Sequence, residues 1–162
     1  MTISNKIIAG VVLLAMLFGG VTMAFVSGGG TIYAAKVSPE IEGTWLAMIT
    51  ATDGPPPFPS LLTYASGGAL TVTDSSASPA LGNVYQGTWA KIGPHKYTFT
   101  FLGFIYDEAG VLTGYFRSHD TVQVEPGGNA YNGVSTGEIL DLDMNVIATM
   151  SGTSHATRIN AK

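Results

Sequence analysis

The sequence of 162 residues contains no cysteine. Disulfide bonds, thiolate zinc sites, iron–sulfur clusters and cysteine nucleophiles are therefore excluded. A lipoprotein anchor is excluded as well, because it requires an acylated cysteine. Any fold must be held together by the packing of its core, which a single domain of ordinary size can supply without covalent cross-links.

Charged residues are scarce, at 11% of the chain. From residue 37 onward there are 11 acidic and five basic residues, so this part carries a net charge of about −6. The basic residues form no cluster, which argues against nucleic-acid binding and against an electrostatic hold on anionic lipid. No cofactor motif is recognisable, and we expect no bound cofactor.

One long apolar run spans residues 7–26 and reads IIAGVVLLAMLFGGVTMAFV. As a helix it would be about 30 Å long, enough to cross the hydrocarbon core of a bilayer. Lys6 and the amino terminus precede the run, whereas Glu40 and Glu42 follow it, after a lone Lys36. The positive-inside rule therefore predicts a single pass with a cytoplasmic N-terminus and the C-terminal domain on the other side. We expect the membrane to be a bacterial inner membrane, which would make that domain periplasmic.

The same run has a second interpretation as a signal peptide, after whose cleavage the domain would be secreted. Apolar cores of signal peptides usually span about 7–15 residues, so the length of this run favours a retained anchor. Ala24 and Ala34 are candidate cleavage points in the alternative case. We divide the chain into an anchor or signal segment (1–26), a Gly-rich tether (27–42) and a β-barrel domain (43–162).

Short β-rich runs separated by turn residues follow from Gly43 onward, a pattern typical of all-β domains. In one run Tyr97, Phe99 and Phe101 alternate with threonines, as expected of a strand with one apolar face. The pattern predicts eight strands, near Gly43–Thr50, Ser60–Ala65, Ala69–Thr73, Val84–Ile92, Lys96–Tyr106, Val111–Val124, Tyr131–Asp141 and Val146–Thr157.

Short connections in the second half of the domain favour antiparallel neighbours joined as a meander. Eight such strands are expected to close into an up-and-down barrel, which removes exposed sheet edges. A β-sandwich is the alternative architecture. The candidate barrel-lining residues are aromatic: Trp45, Trp89, Tyr97, Phe99 and Phe101.

Gly43-Thr44-Trp45 resembles the Gly-x-Trp element that begins the first strand of lipocalin-like (calycin) barrels, and Gly87-Thr88-Trp89 is a second copy. A longer pattern resembles uncharacterised exported bacterial domains; its pieces are Pro57-Phe58-Pro59, Gly87-Thr88-Trp89, Tyr97-Thr98-Phe99 and Asp107 with Gly110 and Gly114. The resemblance covers roughly residues 43–157. It implies a barrel and no particular ligand, and a lipocalin-type C-terminal helix is not visible.

Three histidines, His95, His119 and His155, are the first candidates for chemistry. Strand placement could bring His119 and His155 near one another. A metal site of all three histidines, or an acid/base pair of His119 and Asp120, is then conceivable. Neighbouring side chains on a strand face opposite sides, however, so surface histidines are the favoured interpretation. We expect no catalytic and no metal-binding residue.

Asp141-x-Asp143-x-Asn145 resembles the start of a calcium loop. An EF-hand also requires glycine at the sixth position and glutamate at the twelfth. Val146 and Gly152 occupy those positions, so the segment is interpreted as a polar hairpin turn.

The segment Pro55-Pro56-Pro57-Phe58-Pro59 predicts a stiff, extended loop. Such a loop could lie across a barrel mouth, dock on the aromatic surface of a partner, or simply connect two strands rigidly. All five residues are candidate partner contacts.

These features favour a non-enzymatic accessory or structural subunit, anchored by residues 7–26 and docked on a larger membrane protein complex, for example a photosynthetic or respiratory one. A lipocalin-like carrier of a small apolar ligand is the second hypothesis. An enzyme of the barrel cyclase or isomerase type is the third.

Overall fold

A computed structural model describes residues 39–52, 54–76, 78 and 83–160. They form eight antiparallel strands that pair in chain order and close into a barrel. The strands are β1 (Gly43–Ala51), β2 (Phe58–Tyr64), β3 (Ala69–Asp74), β4 (Val84–Gly93), β5 (Lys96–Tyr106), β6 (Leu112–Val124), β7 (Ala130–Leu140) and β8 (Val146–Arg158). The predicted all-β closed barrel is confirmed, and the chain does not adopt the alternative sandwich.

The predicted membrane segment at 7–26 and residues 27–38 of the predicted tether lie outside the described residues. Within the part of the chain that the structure does describe, no helix is long and apolar enough to cross a membrane.

The barrel closes where β8 returns to β1, with Met48 opposite His155 and Thr50 opposite Thr153. This pairing satisfies the backbone groups of the first and last strands, which would otherwise be exposed edges. Because all neighbours are antiparallel, alternate connections lie at opposite ends. We call the end with the β1–β2, β3–β4, β5–β6 and β7–β8 connections the open end. The other end, which carries residues 39–42, is the closed end.

Trp45 forms the centre of the closed end, where its side chain is fully buried. Its indole N–H donates a hydrogen bond of 2.8 Å to the carbonyl of Ile41. The guanidinium of Arg158 lies 4.3 Å from the centre of the indole ring. Arg158 also donates to the carbonyls of Glu40, Glu42 and Gly128. The last residue of β8 therefore fastens residues 39–42 across this end of the barrel.

Above this cap, aromatic rings fill the interior. The ring centres of Trp45 and Tyr131 are 4.9 Å apart, and those of Trp89 and Tyr97 are 5.9 Å apart. Tyr64 packs edge-on against Tyr131 at 6.4 Å. We call this part of the interior the closed half; its own side chains occupy it, as is common in eight-stranded barrels.

Replacing Arg158 by methionine tests the cap. The variant keeps an apolar side chain but leaves the carbonyls of Glu40, Glu42 and Gly128 without their donor and removes the cation from the indole face. A fully buried acceptor left unpaired costs about 1–3 kcal/mol, and these carbonyls are only partly buried, so each costs less than that. A cation–π contact contributes about 0.5–2 kcal/mol. We expect the free energy of unfolding, measured by urea titration, to fall by about 2–4 kcal/mol.

Arg117→Met is the matched control, since Arg117 pairs with Glu138 at 2.6 Å on the outer face of the barrel. A partly exposed pair of this kind contributes about 1 kcal/mol or less. Equal losses in the two variants would show that the Arg158 cap has no special role.

Candidate functional site

The half of the interior toward the open end is not filled. A cavity of about 300 Å³ extends there from Leu62 and Val72 up to Pro55 and Ser76 in the loops. This volume is at the lower end of the range of about 300–1,000 Å³ found for small-molecule sites. The space exists because most inward positions of β7 and β8 at the cavity hold small residues, and Met150 is the larger exception. The small residues are Ser135, Gly137, Gly152 and Ser154.

Aromatic rings from β4, β5 and β6 form the opposite wall. Phe101 lies 5.3 Å from Tyr85 and 6.1 Å from Phe116, between ring centres, and Phe99 stacks on it at 6.3 Å. Gly103 makes room for this wall, because a Cβ at that position would lie 2.2 Å from the Tyr85 ring. The strand glycine therefore allows the tyrosine ring to lie against β5.

Asp120 is the one buried carboxylate among the described residues, with an exposed fraction of 7%. It points inward from β6, opposite Phe99 on β5 and Ser135 on β7. The hydroxyl of Ser118, two residues earlier and on the same face, donates a hydrogen bond of 2.6 Å to Oδ2. Burial raises the pKa of Asp120 to about 7, although this hydrogen bond acts in the opposite direction.

Two buried tyrosine hydroxyls, of Tyr64 and Tyr131, lie 3.3 Å apart. Burial is the main cause that raises the pKa of each above its ordinary value, and the negative charge of Asp120 adds to both effects. Both tyrosines therefore remain neutral donors throughout the physiological range.

A second carboxylate, Asp74 at the end of β3, also lines the cavity. It is half-buried, and its Oδ1 accepts hydrogen bonds from the backbone N–H and the hydroxyl of Ser76, at 2.9 and 2.7 Å. The pKa of Tyr85 is raised, mainly by burial and further by the charge of Asp74. Asp74 is thus engaged in its own turn at the open end.

The five aromatic residues predicted to line the barrel all point inward. Phe99 and Phe101 line the cavity, whereas Trp45, Trp89 and Tyr97 lie in the closed half. The prediction omitted Asp120, Tyr85 and Phe116. The alternation in β6 carried the missing signal, because the face that holds Phe116 and Ser118 also holds Asp120.

Pro55 and Phe58 of the proline segment line the cavity near its opening. Pro56 and Pro57 are exposed, and Pro59 is exposed on the outer face of β2. The segment therefore forms part of the wall at the open end, and its contact with a partner stays a prediction.

The three histidines are not brought together. His95 pairs with Glu40 at 2.8 Å, His119 bonds Thr100 at 2.9 Å, and His155 bonds Asn132 at 2.9 Å. Within residues 39–160, as far as they are described, no group of three or more His, Asp or Glu side chains could hold a metal ion. His119 points outward and Asp120 inward, as the strand geometry predicted.

The predicted polar hairpin turn between β7 and β8 is confirmed. Asp141 Oδ1 accepts hydrogen bonds from the backbone N–H groups of Asp143 and Asn145, both at 2.9 Å. These oxygens serve the turn itself.

No protein-family model matches this chain, and no curated protein matches it. The closed eight-stranded antiparallel barrel is consistent with the lipocalin-like fold that Gly43-Thr44-Trp45 indicated. The resemblance to exported bacterial domains receives no support from these comparisons and stays a prediction.

The raised pKa of Asp120 predicts a specific pH dependence of stability. The folded barrel keeps this proton up to about pH 7, whereas an unfolded chain loses it near pH 3.9. Between these values the folded state binds the extra proton, so this contribution favours folding at low pH and is lost as the pH rises to 7. Relative to Asp120→Asn, the wild-type free energy of unfolding should fall by about 4 kcal/mol at most between pH 4 and 8, since one pKa unit corresponds to about 1.4 kcal/mol.

Urea titrations of both proteins across this range measure the difference, and other titrating groups cancel in the comparison. Asp143→Asn, in the exposed β7–β8 turn, is the control and should show no such trend. A difference between wild type and Asp120→Asn that stays constant with pH would contradict the prediction.

Proposed function

We propose that the protein is a non-enzymatic binding protein whose barrel holds a small, largely apolar molecule in the open half. The observation that carries this proposal is the contrast between the two halves. Large aromatic side chains fill the closed half, whereas a cavity of about 300 Å³ remains beside it. A barrel of this size can be filled entirely by its own side chains. The space that remains in the open half therefore supports a bound ligand.

The walls of the cavity suit such a molecule. Aromatic and aliphatic side chains form most of the surface, and a few serines and the two aspartates supply polar atoms. Ligand sites typically combine an apolar surface with a small number of polar groups that orient the ligand. Pro55 and Ser76 place the cavity next to the loops of the open end, which offers the ligand a way in.

A cavity-blocking substitution tests this proposal. Ser135 lines the cavity, and Thr136 beside it on β7 is exposed on the outer face. Ser135→Phe should weaken the binding of 2-phenylethanol to the full-length protein in non-ionic detergent by about tenfold or more, because the new ring occupies the site. Isothermal titration calorimetry measures the affinity.

Thr136→Phe adds the same ring on the outside and should leave binding unchanged, which also corrects for uptake of the alcohol by detergent. Equal titrations of the two variants and the wild type would contradict a site in the cavity.

A second candidate function is the accessory subunit of a membrane complex, with residues 7–26 as anchor and the barrel on the periplasmic side of a bacterial inner membrane. The outer face of β1 and β2 favours it. Leu46, Met48 and Leu61 are each about 45% exposed there, with Leu46 opposite Leu61 and Met48 opposite Pro59. We call these four residues the β1–β2 outer patch. Clustered apolar residues of this kind commonly mark contact sites.

A charge in the patch tests this second candidate. Leu61→Glu should abolish co-purification of stoichiometric membrane subunits with the full-length chain from mildly solubilised native membranes, because the charge would be buried without a partner. Val134→Glu is the control, since Val134 is 61% exposed on β7, outside the patch. Retention of the subunits by Leu61→Glu, or their absence from the wild type, would argue against docking through this patch.

A further inference from the structure

Among the described residues, the charged side chains that line the cavity are all of one sign. Its described lining includes two carboxylates, Asp74 and Asp120, and no lysine, arginine or histidine. On β6, the nearby Arg117 and His119 point outward, away from the cavity. Arg158 lies in the closed end on Trp45. An anionic ligand would therefore meet negative charge without a compensating cation, whereas a cationic ligand would meet its counter-charge.

The two carboxylates differ in the number of hydrogen bonds that they accept from neighbouring serines. Asp74 Oδ1 accepts two hydrogen bonds from Ser76, so its turn stabilises the charge. Asp120 receives one hydrogen bond, from Ser118 to Oδ2, among the described residues. Buried carboxylates have about four acceptor positions and are costly when these are not used. Asp120 therefore has unused acceptor capacity at the wall of the cavity.

The rings around the cavity favour the same type of ligand. Phe99, Phe101 and Phe116 line it together with Asp120. The face of an aromatic ring attracts a cation, and the attraction is largest at sites shielded from water. A carboxylate beside aromatic faces is thus a suitable environment for an organic ammonium group, whose carbon skeleton can contact the apolar wall.

We propose that the ligand is a compact organic amine, bound as its ammonium ion, with an N–H donated to the Asp120 carboxylate and its apolar body against Phe99, Phe101 and Phe116. This inference rests on the proposed ligand-binding function and specifies the class of ligand for the same cavity. The cavity size restricts the amine to a small molecule, such as one aromatic ring with a short aminoalkyl chain.

Binding of an amine should depend on pH, because Asp120 must be ionised to form the pair. The titratable groups that face it are Tyr64 from β2 and Tyr131 from β7, and Asp74 and Tyr85 line the same cavity from β3 and β4. β5 and β8 present Phe99, Phe101 and Ser154, which do not titrate. The carboxyl of Asp120, with a pKa of about 7, is therefore the group that should control affinity near neutral pH.

The test compares three probes of similar shape and different charge: 2-phenylethylamine, 2-phenylethanol and 3-phenylpropionate. Calorimetry of the full-length chain in non-ionic detergent at about pH 8 should give the amine an affinity about tenfold or more above that of the alcohol, with the carboxylate weakest. Between about pH 8 and pH 5.5 the affinity for the amine should fall about tenfold or more as Asp120 becomes protonated, whereas that for the alcohol should stay nearly constant.

Two variants identify the carboxylate. Asp120→Asn should remove the preference for the amine and retain binding of the alcohol, which also shows that the cavity is intact. Asp143→Asn removes a carboxylate from the exposed β7–β8 turn, outside the cavity lining, so it is the matched control and should keep the preference. If Asp120→Asn does not fold, two measurements on the wild type still test the role of the Asp120 carboxylate. One is the pH dependence of amine affinity. The other is the release of a proton on amine binding near pH 7, measured by calorimetry in buffers of different ionisation enthalpy.

The possible failures are distinguishable. Binding of the alcohol with no preference for the amine would overturn this inference and leave the binding function standing. Retention of the preference in Asp120→Asn would overturn it too. If none of the three probes binds, the proposed function and this inference fail together.

Discussion

The pairing of β8 with β1 is the constraint on which the rest of the structure depends. It fixes the circumference of the sheet, and therefore the width of the interior, before any side chain is considered. The size of the inward-pointing side chains then determines how much of that interior is filled. In the closed half the inward positions hold tryptophan and tyrosine, whereas in the open half β7 and β8 contribute serine and glycine opposite the aromatic wall. The cavity is therefore a consequence of side-chain size inside a frame that cannot contract.

The same frame explains the position of Asp120. A carboxylate in a sealed, apolar interior is destabilising unless it is paired or neutral, and one hydroxyl, from Ser118, is its hydrogen-bond partner among the described residues. Asp120 lies at the wall of the cavity and not among the packed side chains of the closed half. A buried acid with a raised pKa in a cavity is a common mark of a functional site. This is the physical reason to place the ligand's polar group there.

The strands were predictable because their signals are local. Alternation such as Tyr97, Phe99 and Phe101 defines a strand, and short turn-rich connections define antiparallel neighbours. The site was not predictable in the same way, since it depends on contacts across the barrel. Arg158 meets Trp45 although nearly the whole domain separates them in sequence, and Phe101 meets Phe116 from the next strand. Asp120 was considered with its neighbour His119, although strand geometry separates those two side chains and joins Asp120 to Ser118.

The geometry also changes the order of the functional hypotheses. The sequence favoured an anchored accessory subunit over a ligand carrier, because the apolar run and the proline segment were its most conspicuous features. The cavity instead favours a ligand-binding role, because small residues on β7 and β8 leave space in it and the charged residues in its described lining are all acidic. The β1–β2 outer patch leaves the docking hypothesis with an observation of its own, and a barrel can hold a ligand and contact a partner through different faces.

Titration of the Asp120 carboxyl carbon by NMR on the full-length protein, with and without saturating 2-phenylethylamine, tests directly whether Asp120 receives the ligand. We expect a midpoint near pH 7 for the free barrel and a clearly lower midpoint with the amine, because the ammonium ion stabilises the charged form of the carboxyl. A midpoint that the amine does not move would contradict the assignment of Asp120 as the group that receives the ligand.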